Sequence, residues 1–203
     1  RSGVKKLVFA SSSSIYGNNE KIPYSESDRV DNPISPYAAS KKSAELLTYT
    51  FHHMYKINVV NLRFFTVFGP RQRPDLAIHK FFHSIYKETP IDFYGDGTTS
   101  RDYTYIDDIT TGIISAMNHL NSGENIYETI NLGNNSPVTL SELISTIEDV
   151  AGKKFLINKL PMQVGDMIIT YADIDKAKRI LNYNPQTSLK AGLIKFKDWY
   201  EVQ

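Results

Sequence analysis

The segment Ser35-Pro36-Tyr37-Ala38-Ala39-Ser40-Lys41 places a phenol and an ammonium four residues apart. On a helix that spacing puts both side chains on one face. An ammonium beside a phenol favours the phenolate, so Tyr37 is expected to titrate below the free value of about 10. Such a tyrosine can serve as a general acid or base near neutral pH. A Tyr/Lys pair on an ordinary helix surface would have the same spacing. A second cluster, Ser11-Ser12-Ser13-Ser14-Ile15-Tyr16-Gly17, follows the apolar run Leu7-Val8-Phe9-Ala10. If that run is a strand, its hydroxyls stand at the carboxyl end, where α/β sheets bind ligands and where a hydroxyl can polarise a substrate oxygen. A polar exit from strand to loop would read the same way. His52, His53, His79, His83 and His119 lack a ligand-like carboxylate cluster, so no metal site is expected. Asp107-Asp108 reads as a helix start, with acids at the positive end of the dipole.

The elements that must carry these residues alternate. Lys6 to Ser11 reads as a strand of the buried, parallel-sheet kind. Gly17 to Asn32 is a loop of turn formers. Pro36 begins a helix running to about Met54, with Ser35 as N-cap. Asn58 to Phe64 is a strand ended by Gly69-Pro70. Ile78 to Lys87 is helical, and Ile91 to Tyr94 is a short strand closed by Gly95-Asp96-Gly97. Asp107 starts a helix with Ile109, Ile113, Ala116, Met117 and Leu120 on one face. Thr129 to Leu132 is a strand. Thr139 and Glu142 form a capping box ahead of Leu143, Ile144 and Ile147. Phe155 to Leu160 is strand-like, and Asp173–Leu181 and Ser188–Tyr200 read as closing helices. The class is α/β.

Composition narrows the function classes. The 203 residues carry 23 Lys plus Arg against 22 Asp plus Glu, a net charge of +1. That balance argues against a nucleic-acid sleeve or a basic membrane surface. There is no cysteine, which excludes disulfides, thiolate catalysis and Cys-ligated zinc. No run approaches the roughly 18 apolar residues of a membrane span. A cytoplasmic protein is the expectation.

The motifs in their order resemble one family. A strand, Ser-Ser-Ser, Tyr16-Gly17 and then Ser-Pro-Tyr-x-x-x-Lys are similar to the extended short-chain dehydrogenase/reductases that act on nucleotide sugars. Leu62-Arg-Phe-Phe-Thr-Val-Phe-Gly-Pro70, Tyr94-Gly-Asp-Gly97, Arg101-Asp-Tyr-Thr-Tyr-Ile-Asp-Asp108 and Gly165-Asp166 continue the resemblance across almost the whole chain. It implies the later part of a Rossmann-type doubly wound parallel sheet plus a smaller α/β substrate-binding domain. Residues 1–70 would be the catalytic half of the NAD-binding domain. Residues 71–203 would be mainly the substrate domain, with segments around 101–132 returning to the Rossmann sheet.

The same resemblance assigns roles. Ser12 would be the catalytic hydroxyl, Tyr37 the base at carbon 4 of the sugar, and Lys41 the group that activates Tyr37 and holds the nicotinamide ribose. Ala10, Ser11, Phe64 and Phe65 would lie along NAD. Arg101 would bind the diphosphate, where a planar guanidinium fork suits phosphate oxygens. Ile91, Phe93 and Tyr94 would pack on uracil, and Gln163 and Asp166 would close the substrate side. Many relatives have an arginine where this chain has Gln163, which brings a donor without charge. The helix after Pro74 would offer its N–H groups and dipole to the diphosphate.

The reaction and the sugar follow from smaller differences. Dehydratases and UDP-glucuronate decarboxylases typically place Glu where Ser14 stands, and dehydratases place Asp where Ser13 stands. Without those carboxylates a 4-epimerisation is expected. Thr66 and Arg73, seven residues apart, match the pair that holds the sugar carboxylate in UDP-glucuronate 4-epimerases, with Ser13 and Ser14 beside them. UDP-glucuronate is therefore the expected substrate, and UDP-glucose or a UDP-N-acetylhexosamine the alternative.

The Gly-rich dinucleotide fingerprint does not occur in these residues. The family would have roughly the first third of its chain before Arg1, including the pyrophosphate contacts. The expectation is a catalytic part of a longer enzyme, inactive alone, with a truncated, non-catalytic remnant that binds nucleotide sugar or a partner as the alternative. Relatives use the helix 36–54 in a dimer bundle, which implies a homodimer.

Overall fold

The computed structural model describes residues 3–162 and 168–203. Its main sheet is built around β2 (Asn58–Phe64), which is flanked by β1 (Lys6–Ser12) and β6 (Tyr127–Leu132), all parallel. Among the described residues β2 alone of the three has neighbours on both sides, and six of its seven residues are buried. β1 is an edge strand among the described residues. Its expected burial is therefore corrected: Leu7 and Ala10 are exposed, Val8 and Phe9 are half-buried, and only Ser11 and Ser12 are buried. The register pairs Ser12 with Phe64 and, one strand further, Phe64 with Leu132. The hydroxyl cluster thus stands at the carboxyl edge of the sheet.

Helix α1 (Pro36–Tyr55) begins where Ser35 accepts a hydrogen bond from the Ala38 N–H and Pro36 fills the first turn. Its faces are inverted relative to a usual surface helix. The buried residues are Ala38, Glu45, Thr48 and His52, whereas Leu46, Leu47, Phe51 and Met54 are exposed.

A second body holds the other elements. β3 (Thr66–Phe68), β5 (Ser100–Tyr105) and β7 (Pro137–Thr139) form a mixed sheet, and β4 (Ile91–Tyr94) pairs in parallel with β8 (Ile157–Leu160). Around them lie α2 (Ala77–Lys87), α4 (Leu140–Ala151) and α6 (Leu189–Tyr200). α4 opens on the capping box read from Thr139 and Glu142, and Ser188 caps α6. Phe68, Phe82, Leu143, Ile147 and Phe196 make its core.

Between the two bodies the chain crosses repeatedly. α3 (Ile106–His119) packs on the main sheet through Ile109, Gly112 and Ala116. Met117, placed on that stripe by periodicity, is instead 54% exposed; the buried stripe is turned toward Gly112, where a Cβ would meet Leu132 at 2.7 Å. α5 (Asp175–Leu181) also packs against α3 and β6, so a late segment completes the first core. Of residues 101–132, β6 joins the main sheet while β5 pairs with β3 and β7. Sequence periodicity had missed β3, β5 and β7, whose residues alternate with pocket and turn chemistry.

Candidate active site

Two clefts meet at the carboxyl edge of the main sheet. The first, about 710 Å³, is lined by Ser12, Ser13, Ser14, Tyr37, Phe64 and Thr66, with Arg73 and the start of α2 on its far wall. The second, about 500 Å³, lies between α2 and β4 and is lined by Lys80, Ile91, Tyr94 and Thr99, among others. Ala77, Arg101 and Tyr103 border both. Of the residues singled out as catalytic or sugar-binding, Ser12, Ser13, Ser14, Tyr37, Thr66 and Arg73 line the first cleft, whereas Lys41 lines neither. Ile91 and Tyr94, singled out for the base, line the adjoining one.

β1 and α1 set the first wall. The Lys41 ammonium donates to the Ala10 carbonyl at 2.8 Å and sits 5.6 Å from the centre of the Tyr37 ring. Tyr37 itself is 54% exposed, with its ring at the cleft. Ser12 ends β1 and caps the short 3₁₀ turn Ser13–Tyr16: its oxygen accepts from the Ser14 N–H at 3.1 Å, and its hydroxyl donates to the Ser14 oxygen at 3.1 Å. Ser11 differs from its neighbours. It is buried and donates to a Glu45 carboxylate oxygen at 2.6 Å.

The other walls come from β3, α2 and β5. Gly69 adopts φ +151°, and a Cβ there would stand 2.4 Å from Ile106, so only glycine lets the chain leave β3 at this point. Arg73 follows in the loop and grips Asp75 through two hydrogen bonds of 3.1 and 2.8 Å. The Gln72 amide donates to the Val67 carbonyl, and its own carbonyl oxygen is buried with no partner among the described residues. α2 starts at Ala77 behind Leu76, which supplies no side-chain cap, and Ala77 lines both clefts. Burial pushes the Tyr103 phenol up to about 12, against the opposing pull of Arg101.

Some expected contacts fall elsewhere. Phe93 turns into the second core and is not among the cleft residues, while Ile91 and Tyr94 are. Phe65 packs its ring against Tyr16 and Tyr24 and also lines the first cleft. Gln163 and Asp166 lie outside the described residues. Among the described residues no group of three or more His, Asp or Glu could hold a metal ion. No helix is long and apolar enough to cross a membrane.

Sequence reading overlooked a buried polar network beneath the cleft. Glu45 and Arg63 form a two-pronged ion pair at 3.0 and 2.9 Å, with both side chains at most 5% exposed. Arg63 also donates to the Tyr16 hydroxyl at 3.0 Å, and Tyr16 donates to Asn131 at 2.6 Å. Burial pushes the Tyr16 phenol far up despite the facing guanidinium. A signal was present: an arginine inside the apolar run Val59-Val60-Asn61-Leu62-Arg63 must find a buried anion, and Glu45 stands four residues after Lys41.

The chain is 46% identical over 198 residues to the UDP-glucuronate 4-epimerase of Thermodesulfobacterium geofontis, covering 97% of this chain and 59% of that protein. Among solved structures it resembles the Bacillus cereus UDP-glucuronic acid 4-epimerase in complex with UDP-glucuronic acid and NAD. There the TM-score is 0.88 at 38% identity, covering 97% of this chain and 62% of that one. The UDP-N-acetylglucosamine 4-epimerase of Methanobrevibacter ruminantium, in complex with UDP-N-acetylmuramic acid, gives a TM-score of 0.90 at 33% identity over 98% of this chain and 64% of that one. The chain thus spans about three fifths of the relatives it matches. With residues 1–133 also matching its family profile, the chain belongs to the NAD dependent epimerase/dehydratase family.

Proposed function

We propose that the whole protein catalyses the NAD-dependent 4-epimerisation of a UDP-sugar, converting UDP-glucuronate to UDP-galacturonate. The observation that carries this reading is one cleft lined by Ser12, Tyr37 and Arg73, with the Lys41 ammonium beside the Tyr37 ring. NAD, when bound, would supply the hydride acceptor and donor for carbon 4. The residues present fit the nicotinamide end of that cofactor: Lys41 offers N–H donors for ribose hydroxyls, and Phe64 offers an apolar wall. No glycine fingerprint for the pyrophosphate is among the 203 residues.

Tyr37 would take the proton of the 4-hydroxyl as the hydride leaves, then return it once the keto sugar has turned over. Ser12 would donate to the same oxygen and hold it in line. The diphosphate would lie at the junction of the clefts, on Arg101 and the uncapped start of α2. Uracil would enter the cleft beside Ile91 and Tyr94. Thr66, Ser13, Ser14 and Arg73 surround the place left for the sugar and its carboxylate. The pairing of Arg73 with Asp75 favours a second reading, in which the sugar is neutral, as in UDP-glucose or a UDP-N-acetylhexosamine.

Two copies would join through the apolar outer face of α1, where Leu46, Leu47, Phe51 and Met54 are exposed. The experiment for the activity is a label: UDP-glucuronate tritiated at carbon 4, given to the intact polypeptide, should yield UDP-galacturonate with the label retained. Loss of tritium to water, or no conversion of any UDP-sugar, would overturn the reading.

A further inference from the structure

We propose that Glu45 is a positioning residue for the catalytic pair, setting the register of α1 against the end of β1 and so the placement of Tyr37 opposite Ser12. The proposal rests on the epimerase reading for its kinetic consequence, but not for its geometry. Tyr37, Lys41 and Glu45 follow at intervals of four on one face of α1. That face descends from the cleft into the interior: Tyr37 is exposed, Lys41 is half-buried and Glu45 is buried.

Apolar packing cannot define this register. The buried residues of α1 are Ala38, Glu45, Thr48 and His52, of which only Ala38 is apolar, and the ring contacts of Tyr49 and His52 with Tyr127 lie toward the far end of the helix from Tyr37. The helix is seated by directional polar contacts instead. Lys41 donates to the Ala10 carbonyl, Thr48 donates to the Asn61 side-chain oxygen at 2.9 Å, and His52 bonds the Ile57 carbonyl at 2.8 Å. At the centre Glu45 accepts from Ser11 with one oxygen and clasps Arg63 with both.

A buried ion pair is often no more stabilising than apolar residues of the same volume. Its bonds do, however, hold one geometry where smooth apolar contact would permit sliding. Here they reach Ser12 by two routes. Ser11 is the residue before it, and Arg63 holds Tyr16, the last residue of the turn that Ser12 caps. One carboxylate on the tyrosine helix therefore fixes both ends of the serine turn. A misplacement of about 1 Å between reacting groups can cost on the order of 100-fold in rate.

The test uses Ser11→Ala and Glu45→Asp in the intact polypeptide. Ser11→Ala removes one bond and leaves the ion pair whole. Glu45→Asp keeps the charge that Arg63 requires but shortens its reach. Crystal structures of both should show α1 displaced relative to β1, with Tyr37 moved from Ser12. Turnover should fall about 10-fold or more, while the KM for the UDP-sugar stays within about twofold. An α1 that keeps its place in both variants overturns the proposal, whether or not the protein epimerises a UDP-sugar. So does a displaced α1 with undiminished turnover, or a loss shared equally by kcat, KM and melting temperature.

Discussion

Arg73 and Asp75 face each other fork to fork, with the guanidinium donating to both carboxylate oxygens at 3.1 and 2.8 Å at the wall of the cleft that holds Ser12 and Tyr37. The arrangement is the one a sugar carboxylate would make with the same arginine. If the substrate is a uronate, Asp75 would compete with it for Arg73. Arg73→Leu is expected to raise the KM for UDP-glucuronate more than that for UDP-glucose. Asp75→Asn should lower the KM for UDP-glucuronate alone, by no more than about fivefold, because an exposed ion pair is weak and screened by solvent. Steady-state kinetics on both sugars check this; equal effects on the two would place Arg73 on the diphosphate or in the scaffold.

Tyr37→Phe keeps the ring at the mouth of the cleft and removes only the hydroxyl. Turnover is expected to fall by about 10²–10⁴-fold, the range for a lost general acid or base, with UDP-sugar binding by calorimetry unchanged. A variant retaining most of its activity would assign the proton transfer to another group.

The loop between the serine turn and α1 is pinned by Asp28. It accepts from Lys21 at 2.6 Å, from the Ser25 N–H at 2.9 Å and from Asn19 at 2.9 Å. Burial pushes its carboxyl up, but these donors outweigh it and hold it below the usual carboxylate range. The ionised form is thus favoured by the fold. Its stabilisation is present above the unfolded value of about 4 and is lost as pH falls through the lower folded value. Asp28→Asn should cost about 1–2 kcal/mol near neutral pH, little of it from the exposed Lys21. The difference in melting temperature from wild type should close below about pH 4; a gap that persists unchanged into acid would contradict the assignment.

Gly69→Ala places a Cβ 2.4 Å from Ile106 at a φ of +151°. Strain and overpacking together predict a loss of about 2 kcal/mol or more, read as a lower urea midpoint with an unchanged slope. Gly152→Ala is the control, since nothing lies within 4 Å of its added Cβ at φ +65°; its loss should be the smaller of the two.

If copies associate through α1, Leu47→Glu with Phe51→Glu should convert a dimer of the whole protein to monomer by sedimentation. Both residues are exposed on the outer face, 59% and 49%, so the fold should survive the change. A mass unaffected by the two charges would move the interface elsewhere.

Much of the site was legible from sequence because its signals are local. Tyr37 and Lys41 share a helix face through a spacing of four, Ser35 and Ser188 cap through their own side chains, and Thr139 with Glu142 satisfies its helix within one turn. Those features need no distant partner. What depended on distance was decided only by the tertiary structure. Leu7 and Ala10 have the composition of a central strand, yet their exposure follows from which strands lie beside β1. Ser11 and Ser12 are identical in type and adjacent, but alternation along the strand turns one to Glu45 and leaves the other at the cleft. Met117 is exposed and Gly112 buried because the helix is turned to seat Gly112 against Leu132 and Tyr183, which come from segments far along the chain. Glu45 finds Arg63 across 18 residues, and Arg63 finds Tyr16 across 47. No periodicity encodes such pairs, because the cost of burying a charge specifies that a partner must exist without specifying which one.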